Sequence, residues 1–464
     1  MDKSSFFFYN IGVKRIYKTK GEEGNIMKLR KVVAMLSVIA MTGTMLAGCS
    51  SSPAKNSGDT KTEASQDAGR SKTTDTGSDI SGTITVWEHA YSFEDSLKKV
   101  IDGFKKQYPN VDVKYEIKDG QEYYGILSTA IQSGDGPDLF WTNGTATSNM
   151  TDYVKNGVCY DLTSAVDYKL FDDSAMNLTK VDGKSYSIPW LTLDTRAVYY
   201  NKDMFEKNGW QLPKTFTEFQ NLLVTIKAAG ITPISLCGQD PYCLLFAFEP
   251  LLAAYDVNYT KGLSDYSVSA TDKPVKDTLT MMLDWADKGY FGDNWLGVAD
   301  NNAQILAFTS GKAAMDIAGS WDAATISQNN PDLKFGAFEI PSEDGTTGLV
   351  GTPANGFSVN SASKNLKAAT AFANYCASLE AQTIWVQSQG AVSASKDIEA
   401  SSEIAKEISG YGNGNLYRSW QNVLSTYSTD GKAATIFGND FPPVFAKILS
   451  TDDFLKEIND VMQK

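Results

Sequence analysis

Polar and aromatic side chains that could bind a small molecule follow several predicted strands. Glu88 and His89 come after the first strand, Trp141 and Asn143 lie at and after the third, and Trp321 follows the run AAMDIAGS. Open α/β sheets bind ligands outside the carboxyl ends of their strands, so these residues are candidates for one site. Aromatic faces stack on sugar rings while carboxylates and amides bond hydroxyls, which favours a neutral sugar. Each tryptophan has an alternative role as a core residue.

The composition excludes several other kinds of chemistry. His89 is the only histidine, so Ser-His-Asp and Cys-His catalysis and His-rich metal sites have almost nothing to work with. No zinc-ligand spacing appears, and we expect neither a metal nor a cofactor. After residue 48 the chain has 34 Lys and Arg against 52 Asp and Glu, a net charge of −18, which argues against nucleic acid. Beyond the linker, only Arg196 and Arg418 could supply the bidentate donors that anions prefer.

Cysteine spacing leaves one question open. The segment CGQDPYC brings Cys237 and Cys243 close in sequence. A disulfide between them is possible, and so are two free buried thiols, because spacing alone does not show how closely their Cα atoms approach.

The N-terminal segment has the layout of a secretory signal. Lys28, Arg30 and Lys31 precede an apolar run that is too short for a membrane span and ends at Cys49. The sequence LAGC resembles a bacterial lipobox, which implies cleavage before Cys49 and its acylation. We therefore predict a signal peptide over residues 1–48, with translation starting at Met27. Residues 49–81 are small and polar and predict a flexible linker, with Cys49 as its lipid anchor.

The body alternates predicted strands and helices. Strands are expected at 83–87, 111–117, 139–141 and 197–200, each followed by a helical pattern, and one long helix is expected over 365–387. Thr215 or Thr217 should cap a helix that stops at Gly230. Such alternation predicts an α/β fold with mostly parallel sheets, and the length allows two domains.

Several segments in order resemble one family. FKKQYPNVDVKYEI, SGDGPDLFWTNG, SYSIPW, VYYNKDMFEKNGW, PKTFTEF, FTSGKAAMDIAGSW and GFSVNSASKNLKAATAFANYCAS are similar to the extracellular solute-binding proteins of ABC sugar importers. The resemblance implies a two-lobed, type II periplasmic-binding-protein-like fold, in which each lobe is a mixed sheet flanked by helices and a hinge connects the lobes. It assigns 82–192 plus 355–405 to the N-terminal lobe and 195–350 plus 406–464 to the C-terminal lobe.

The same resemblance implies ligand contacts. Trp141 and Trp321 match stacking aromatics of the family, and Asn143 lies close to its polar sugar contact. Asp194 falls where maltose-binding protein has a cleft glutamate, while Asp240 and Tyr242 resemble a Glu-Pro-Tyr that contacts sugar. Asn355, at a predicted crossing between lobes, and the loop residues Glu88 and His89 complete the set. Two alternatives stay open: Asp194 could only cap backbone N–H groups, and a disulfide could hold Asp240 and Tyr242 away from the cleft.

The implied function is a non-enzymatic receptor. It would capture a neutral mono- or oligosaccharide by lobe closure and deliver it to the permease subunits of an ABC transporter. The expected location is the outer face of a cell membrane, lipid-anchored, in a Gram-positive bacterium, as a monomer. The alternatives are a secreted glycoside hydrolase, which needs two carboxylates and no histidine, and the same fold binding a polyamine or peptide.

Overall fold

The computed structural model describes residues 79–118, 123–146, 148–411, 415–428 and 432–463. The predicted signal peptide, Cys49 and most of the linker lie outside these residues. At the end of the predicted linker, Ile80 is already buried in a hydrophobic core, because its side chain is only 8% exposed. The folded body therefore includes Ile80, slightly before the predicted boundary.

Twelve strands and seventeen α-helices are found in the described residues. The strands are β1 (Gly82–Glu88), β2 (Val111–Ile117), β3 (Leu139–Trp141), β4 (Lys180–Val181), β5 (Lys184–Ser185), β6 (Pro189–Asn201), β7 (Thr232–Ser235), β8 (Ala313–Gly319), β9 (Phe335–Phe338), β10 (Leu349–Asn355), β11 (Phe357–Val359) and β12 (Leu416–Tyr417). The helices are α1 (Glu94–Gln107), α2 (Tyr123–Ser133), α3 (Ser148–Lys155), α4 (Asp173–Asn177), α5 (Lys202–Asn208), α6 (Phe216–Ala228), α7 (Pro241–Tyr255), α8 (Val257–Ser264), α9 (Lys273–Asp287), α10 (Asn301–Thr309), α11 (Asp322–Asn329), α12 (Leu366–Cys376), α13 (Leu379–Gln389), α14 (Glu403–Tyr411), α15 (Trp420–Thr426), α16 (Lys432–Phe445) and α17 (Thr451–Asn459).

The first lobe is built on a four-stranded sheet in the order β11-β3-β1-β2. Strand β1 runs parallel to β2 and β3, whereas β11 pairs antiparallel with β3. Alternate residues of β2, from Val111, are buried and exposed in turn, as expected of a strand with one solvated face. Both Glu88 and Trp141 therefore lie at the carboxyl ends of neighbouring parallel strands.

The second lobe is built on a six-stranded sheet with the path β12-β10-β6-β8-β7, in which β9 also pairs with β6. Strand β6 is thirteen residues long, much longer than the predicted 197–200. Its first half pairs with β10, and its second half lies between β8 and β9. The pairing with β10 is irregular between Pro353 and Asn355.

Strand β6 also joins the hydrophobic cores. Trp190 and Leu191 belong to the core of the first lobe, which draws on residues 80–191 and 354–398. Val198 belongs to the core of the second lobe, which draws on residues 198–458. One continuous strand thus passes from one core into the other. The predicted lobe boundaries, in contrast, stay a prediction.

Helix ends follow the expected chemistry in two places and depart from it in one. The Thr215 side chain caps α6 by accepting from the Glu218 N–H, and the chain turns at Gly230 with φ of +78°. The prediction of a single long helix over 365–387 was wrong. Ser378 interrupts it, because its hydroxyl accepts from the Ala381 N–H and starts a new helix, α13.

In the described part of the chain, every helix is too short or too polar to cross a membrane. Across the same residues, no group of three or more His, Cys, Asp or Glu side chains could hold a metal ion.

Candidate functional site

Asp194 lies near the middle of β6, where the two lobes meet. Its half-buried carboxylate interacts electrostatically with His89 of the first lobe and Arg196 of the second. Burial raises the pKa of Asp194 to about 6, although both neighbours oppose the shift. Within the described residues this carboxylate accepts no hydrogen bond, so it does not cap a helix or a turn. It is an acceptor that a ligand could use.

Glu88 and His89 form a pair at the end of β1. The fully buried Glu88 carboxylate accepts a bond from the His89 backbone N–H (2.7 Å) and holds the His89 Nδ1 at 2.6 Å. Burial raises the pKa of Glu88, and the bonds to His89 oppose that rise. The His89 side chain, 27% exposed, is the member of the pair that reaches solvent. Glu88 is therefore placed to orient His89 rather than to touch a ligand itself.

Trp141 is more enclosed than a stacking platform should be. Its side chain is 2% exposed, with His89 stacked at 4.8 Å between ring centroids and Trp385 stacked at 6.0 Å. Its Nε1 donates to the Asn143 side-chain oxygen at 2.6 Å, and the Asn143 amide in turn donates to the Tyr124 hydroxyl at 3.1 Å. A ligand would meet the outer face of His89 before it met Trp141.

Asn355 is buried beside the loop that follows Trp141. A methyl group at Gly144 would come within 2.7 Å of its side-chain carbon, so this approach requires a glycine. The Asn355 side chain is 3% exposed, and neither its oxygen nor its nitrogen has a hydrogen-bond partner in the described structure. Buried amides normally satisfy both groups, so Asn355 has bonding capacity to offer a ligand or a water molecule.

Trp321 stands half-buried on the second lobe, directly after β8. Its ring covers the backbone of Gly319, where a Cβ atom would lie 2.1 Å from the indole. Phe246 meets it edge-on at 5.4 Å, and the Arg196 guanidinium lies 5.4 Å from its ring centre. The indole is thus held on several sides and yet remains partly open to solvent.

Asp240 and Tyr242 begin helix α7. The Asp240 carboxylate caps the helix by accepting from the Tyr242 N–H at 2.8 Å. The Tyr242 hydroxyl accepts a bond from the Gln421 amide at 3.3 Å, and its ring packs 6.3 Å from Phe246. Their predicted role as ligand contacts stays a prediction, with a structural role now shown for Asp240.

Cys237 and Cys243 are free thiols, and both are buried. The Cys243 thiol bonds to the Cys237 sulfur, which lowers the pKa of Cys237. The Asp240 backbone N–H donates to the same sulfur at 3.4 Å. The pair therefore anchors the start of α7 without a covalent link.

Ring contacts and electrostatic interactions link several predicted residues into one area. His89 stacks on Trp141 and interacts electrostatically with Asp194. Asp194 interacts in the same way with Arg196, which lies over Trp321, and Phe246 contacts both Trp321 and Tyr242. Sequence reasoning missed the residues that connect them, namely Arg196, Phe246, Glu249, Gln421, Phe93 and Trp385. Arg196 could have been found, because Asp194 and Arg196 are two residues apart and must share one face of a strand.

Two surface grooves lie away from this area. One, of about 410 Å³, lies between α6 and α9, and the other, of about 430 Å³, lies between α1 and α13. Their linings include none of the predicted site residues. Neither groove combines an open aromatic ring with an unbonded carboxylate, so neither competes with the area around Asp194.

The chain matches a known family. Residues 91–383 match the model of the bacterial extracellular solute-binding proteins. The multiple sugar-binding protein of Streptococcus mutans is 28% identical over 382 residues, which are 80% of this chain and 84% of that protein. The galactooligosaccharide-binding protein of Bacillus subtilis is 23% identical over 359 residues, 76% of this chain and 77% of that protein.

Solved structures agree in fold. The GacH receptor of Streptomyces glaucescens, studied without ligand and with acarbose, superposes with a TM-score of 0.66 at 22% identity. The match covers 82% of this chain and 97% of that receptor. This similarity confirms the predicted two-lobed α/β fold of solute-binding proteins.

Proposed function

This chain belongs to the bacterial extracellular solute-binding proteins, and from that premise we propose that it captures a neutral mono- or oligosaccharide between its lobes. The observation that carries the proposal is the Asp194 carboxylate, which accepts no hydrogen bond from the described residues although it is half-buried where the lobes meet. A sugar hydroxyl would supply the missing donor. The Trp321 ring of the second lobe, which is partly open to solvent, would stack on a face of the sugar.

The charges around the site favour a neutral ligand. Arg196, the only arginine among the described residues of this area, is already paired with Glu249 at 3.0 Å. Asp194 adds a further carboxylate that no lysine or arginine of the described chain binds directly. A ligand carboxylate or phosphate would therefore approach an area whose one arginine is already paired, whereas hydroxyl groups can donate to Asp194. The names of the relatives describe sugar binding and agree with this assignment.

Capture requires contacts on both lobes. His89 and Asn355 lie on the first-lobe side, and Trp321 lies on the second. A ligand that touches both sides favours the closed arrangement by the difference in its affinity for the two states. The closed form is the one that an ABC permease would accept. No bond is made or broken in this cycle, and the protein acts as a monomer.

The N-terminal segment would keep this receptor at the cell surface. Acylation of Cys49 would anchor it in the outer leaflet, and the predicted linker, residues 49–81, would give it reach. This arrangement fits a Gram-positive bacterium, which has no outer membrane to retain a free receptor.

The test is a thermal-shift screen of the protein against neutral sugars, polyamines and short peptides. A ligand bound only by the folded state stabilises it by RT ln(1 + [L]/Kd), which is about 2.7 kcal/mol at a hundredfold excess over Kd. A shift with neutral sugars is expected. Shifts with polyamines or peptides alone would contradict the proposed ligand.

The same samples test for an enzyme. After incubation with each oligosaccharide that shifts the melting temperature, chromatography should recover it intact. Shortened products would support a glycoside hydrolase instead and would contradict a pure receptor.

A further inference from the structure

A buried ion pair links several of the candidate ligand contacts. Arg196 is 5% exposed and Glu249 is 2% exposed, and the Arg196 Nε donates to the Glu249 carboxylate at 3.0 Å. We propose that this pair is the positioning group of the ligand site, which fixes Trp321, Asp194 and Tyr242 relative to one another. The proposal rests on the proposed function, since positioning matters only if the area binds a ligand.

The first link is to the stacking ring. The Arg196 guanidinium lies 4.3 Å from the ring centre of Phe246 and 5.4 Å from that of Trp321. A guanidinium is flat and can pack against aromatic faces, whereas an ammonium is a compact, strongly hydrated point charge. Because Gly319 lies under the same indole, the Trp321 ring is confined between the strand and this cation.

The second link is to the unbonded carboxylate. Arg196 and Asp194 alternate with Thr195 along β6 and so lie on the same face of the strand. The positive charge of Arg196 favours the ionised form of Asp194. Arg196 therefore helps to keep this carboxylate an acceptor for ligand hydroxyls.

The third link runs through Glu249. Its second oxygen accepts from the Gln421 backbone N–H at 3.4 Å, and the Gln421 side chain donates to the Tyr242 hydroxyl at 3.3 Å. Gln421 belongs to α15, which contacts the turn at Gly144–Ala146 in the first lobe. The network thus extends from the stacking ring to a contact between the lobes.

Stability alone does not explain such a pair. Taking two charges out of water costs free energy that their attraction only partly recovers, and apolar replacements of similar volume are often as stable or more stable. A buried ion pair that contributes little to stability is expected where it fixes the positions of neighbouring side chains. Here those neighbours are three predicted ligand contacts.

The decisive variant replaces both charges at once, Arg196→Met with Glu249→Leu. We expect it to fold with an unchanged or higher melting temperature, because neither member of the pair is left buried without the other. Its affinity for the sugar that the native protein binds, measured by calorimetry, should fall about 10-fold or more, since the loss of orientation is not repaid by packing. Arg196→Lys should weaken binding by a similar factor of about 10, because an ammonium cannot pack flat against the rings.

Arg418 supplies the matched control. It is the other arginine of the described chain, it lies 4.8 Å from the ring centre of Tyr266, and it bonds Asn422 in the same lobe. Its described partners include none of the candidate ligand contacts. Arg418→Lys should therefore change the affinity by less than about 2-fold, because the side-chain contacts that it disturbs, with Tyr266 and Asn422, involve neither member of the ion pair.

A second readout needs no ligand. The indole N–H signal of Trp321 in a nitrogen–proton NMR spectrum can be identified by its loss in Trp321→Phe. This signal should move in the double variant and in Arg196→Lys, and it should stay in place in Arg418→Lys.

The two proposals fail differently. If the native protein binds no sugar while the Trp321 signal moves as expected, the proposed function is wrong, and what remains is only that the ion pair holds the Trp321 ring in place. A folded double variant with native affinity and an unmoved Trp321 signal would overturn the positioning proposal.

Discussion

At the scale of single residues, Trp321 is the aromatic side chain best placed to meet a ligand. Its side chain is half-buried, and it packs against the backbone of Gly319 and the guanidinium of Arg196. Trp141 is almost fully enclosed by His89 and Trp385. The two tryptophans looked equivalent in sequence, because both stand where a strand ends. The number of rings that pack against each one separates them, and only the tertiary structure gives that number.

Removing the Trp321 ring should weaken sugar binding. Buried aromatic anchors typically contribute about 2 kcal/mol or more, so Trp321→Ala should raise Kd by about 30-fold or more. Calorimetry with the sugar found in the thermal screen measures this directly. Trp210→Ala is the control, because Trp210 is a half-buried tryptophan of the same lobe that packs against Phe205. Equal losses in both variants would point to general destabilisation instead.

Sugar binding should depend on pH through Asp194. Its pKa of about 6 means that the carboxylate is ionised at pH 7 and largely protonated at pH 5. Ionised acceptors form stronger hydrogen bonds, so the affinity should rise across this interval. Asp194→Asn should lower the affinity at pH 7 and flatten the dependence. The control is Asp344→Asn, since the pKa of Asp344 lies at about 2, far below the interval. An unchanged slope in Asp194→Asn would assign the titration to another group.

At the scale of elements, the position of the Trp321 ring depends on the last residue of strand β8. Gly319 closes β8, and its missing side chain leaves the space that the Trp321 ring fills. Gly319→Ala should push the indole out of place, because the new Cβ atom would lie 2.1 Å from it. We expect affinity to fall about 10-fold or more.

The control for that change is another glycine of the same lobe. Gly438 lies in α16, and a Cβ atom there would meet nothing within 4 Å. Gly438→Ala should leave the sugar Kd unchanged and raise the free energy of unfolding by about 0.5–1 kcal/mol. If Gly319→Ala binds as tightly as the native protein, the ring has another stable position.

The strands and helices show how much of the fold can be predicted from the sequence. Periodicity located α1 and β2, which bury their apolar residues at helical and strand spacing. The strands β1 and β3 were located instead as a β-branched run and a short apolar run. Periodicity missed the first half of β6, whose residues Pro189 to Leu193 are buried without alternation between two cores. It also joined α12 to α13, since the apolar spacing continues through Ser378 and only the cap interrupts it.

At the scale of the whole molecule, the second lobe and the cleft bury several acidic groups. Burial raises the pKa of Asp194 and Asp316 to about 6 and that of Asp322 to about 7. It raises the pKa of Glu339 well above its usual value, and one Glu339 oxygen has no partner in the described structure. Between about pH 4 and pH 7, the folded state therefore binds more protons than the unfolded chain.

Stability should consequently fall as the pH rises. The contribution of these carboxyls is fully present below the pKa of the unfolded chain and is lost as the pH passes their folded values. A tenfold difference in proton affinity between the folded and unfolded states corresponds to about 1.4 kcal/mol for each group, so the free energy of unfolding should be higher at pH 5 than at pH 8 by several kcal/mol. Calorimetric melting across this range tests it, and a melting temperature that rises toward pH 8 would contradict it. Glu339→Gln should reduce the slope, whereas Asp344→Asn should leave it unchanged.

The sequence also predicted only part of the candidate site. Family motifs selected Asp194 and Trp321, whose role as ligand contacts stays a prediction. They did not reveal that Asp240 caps a helix, or that Arg196 occupies the centre of the area. The Asp240 cap is a local bond, to the N–H two residues on. Arg196, in contrast, pairs with Glu249, which is 53 residues away, and pairing at that distance leaves no periodic pattern in the sequence.

The interleaving of the two lobes also governs when the protein can fold. The first sheet begins with β1 at Gly82 but is completed only by β11 at Phe357, and the second sheet receives β12 only at Leu416. Neither core can close until nearly the whole chain has been synthesised, and such late pairing makes folding slow. For a family that works outside the cell, we expect this order of assembly to have a use, because it would keep the emerging polypeptide unfolded, and hence able to pass through a narrow channel, until its last helices arrive.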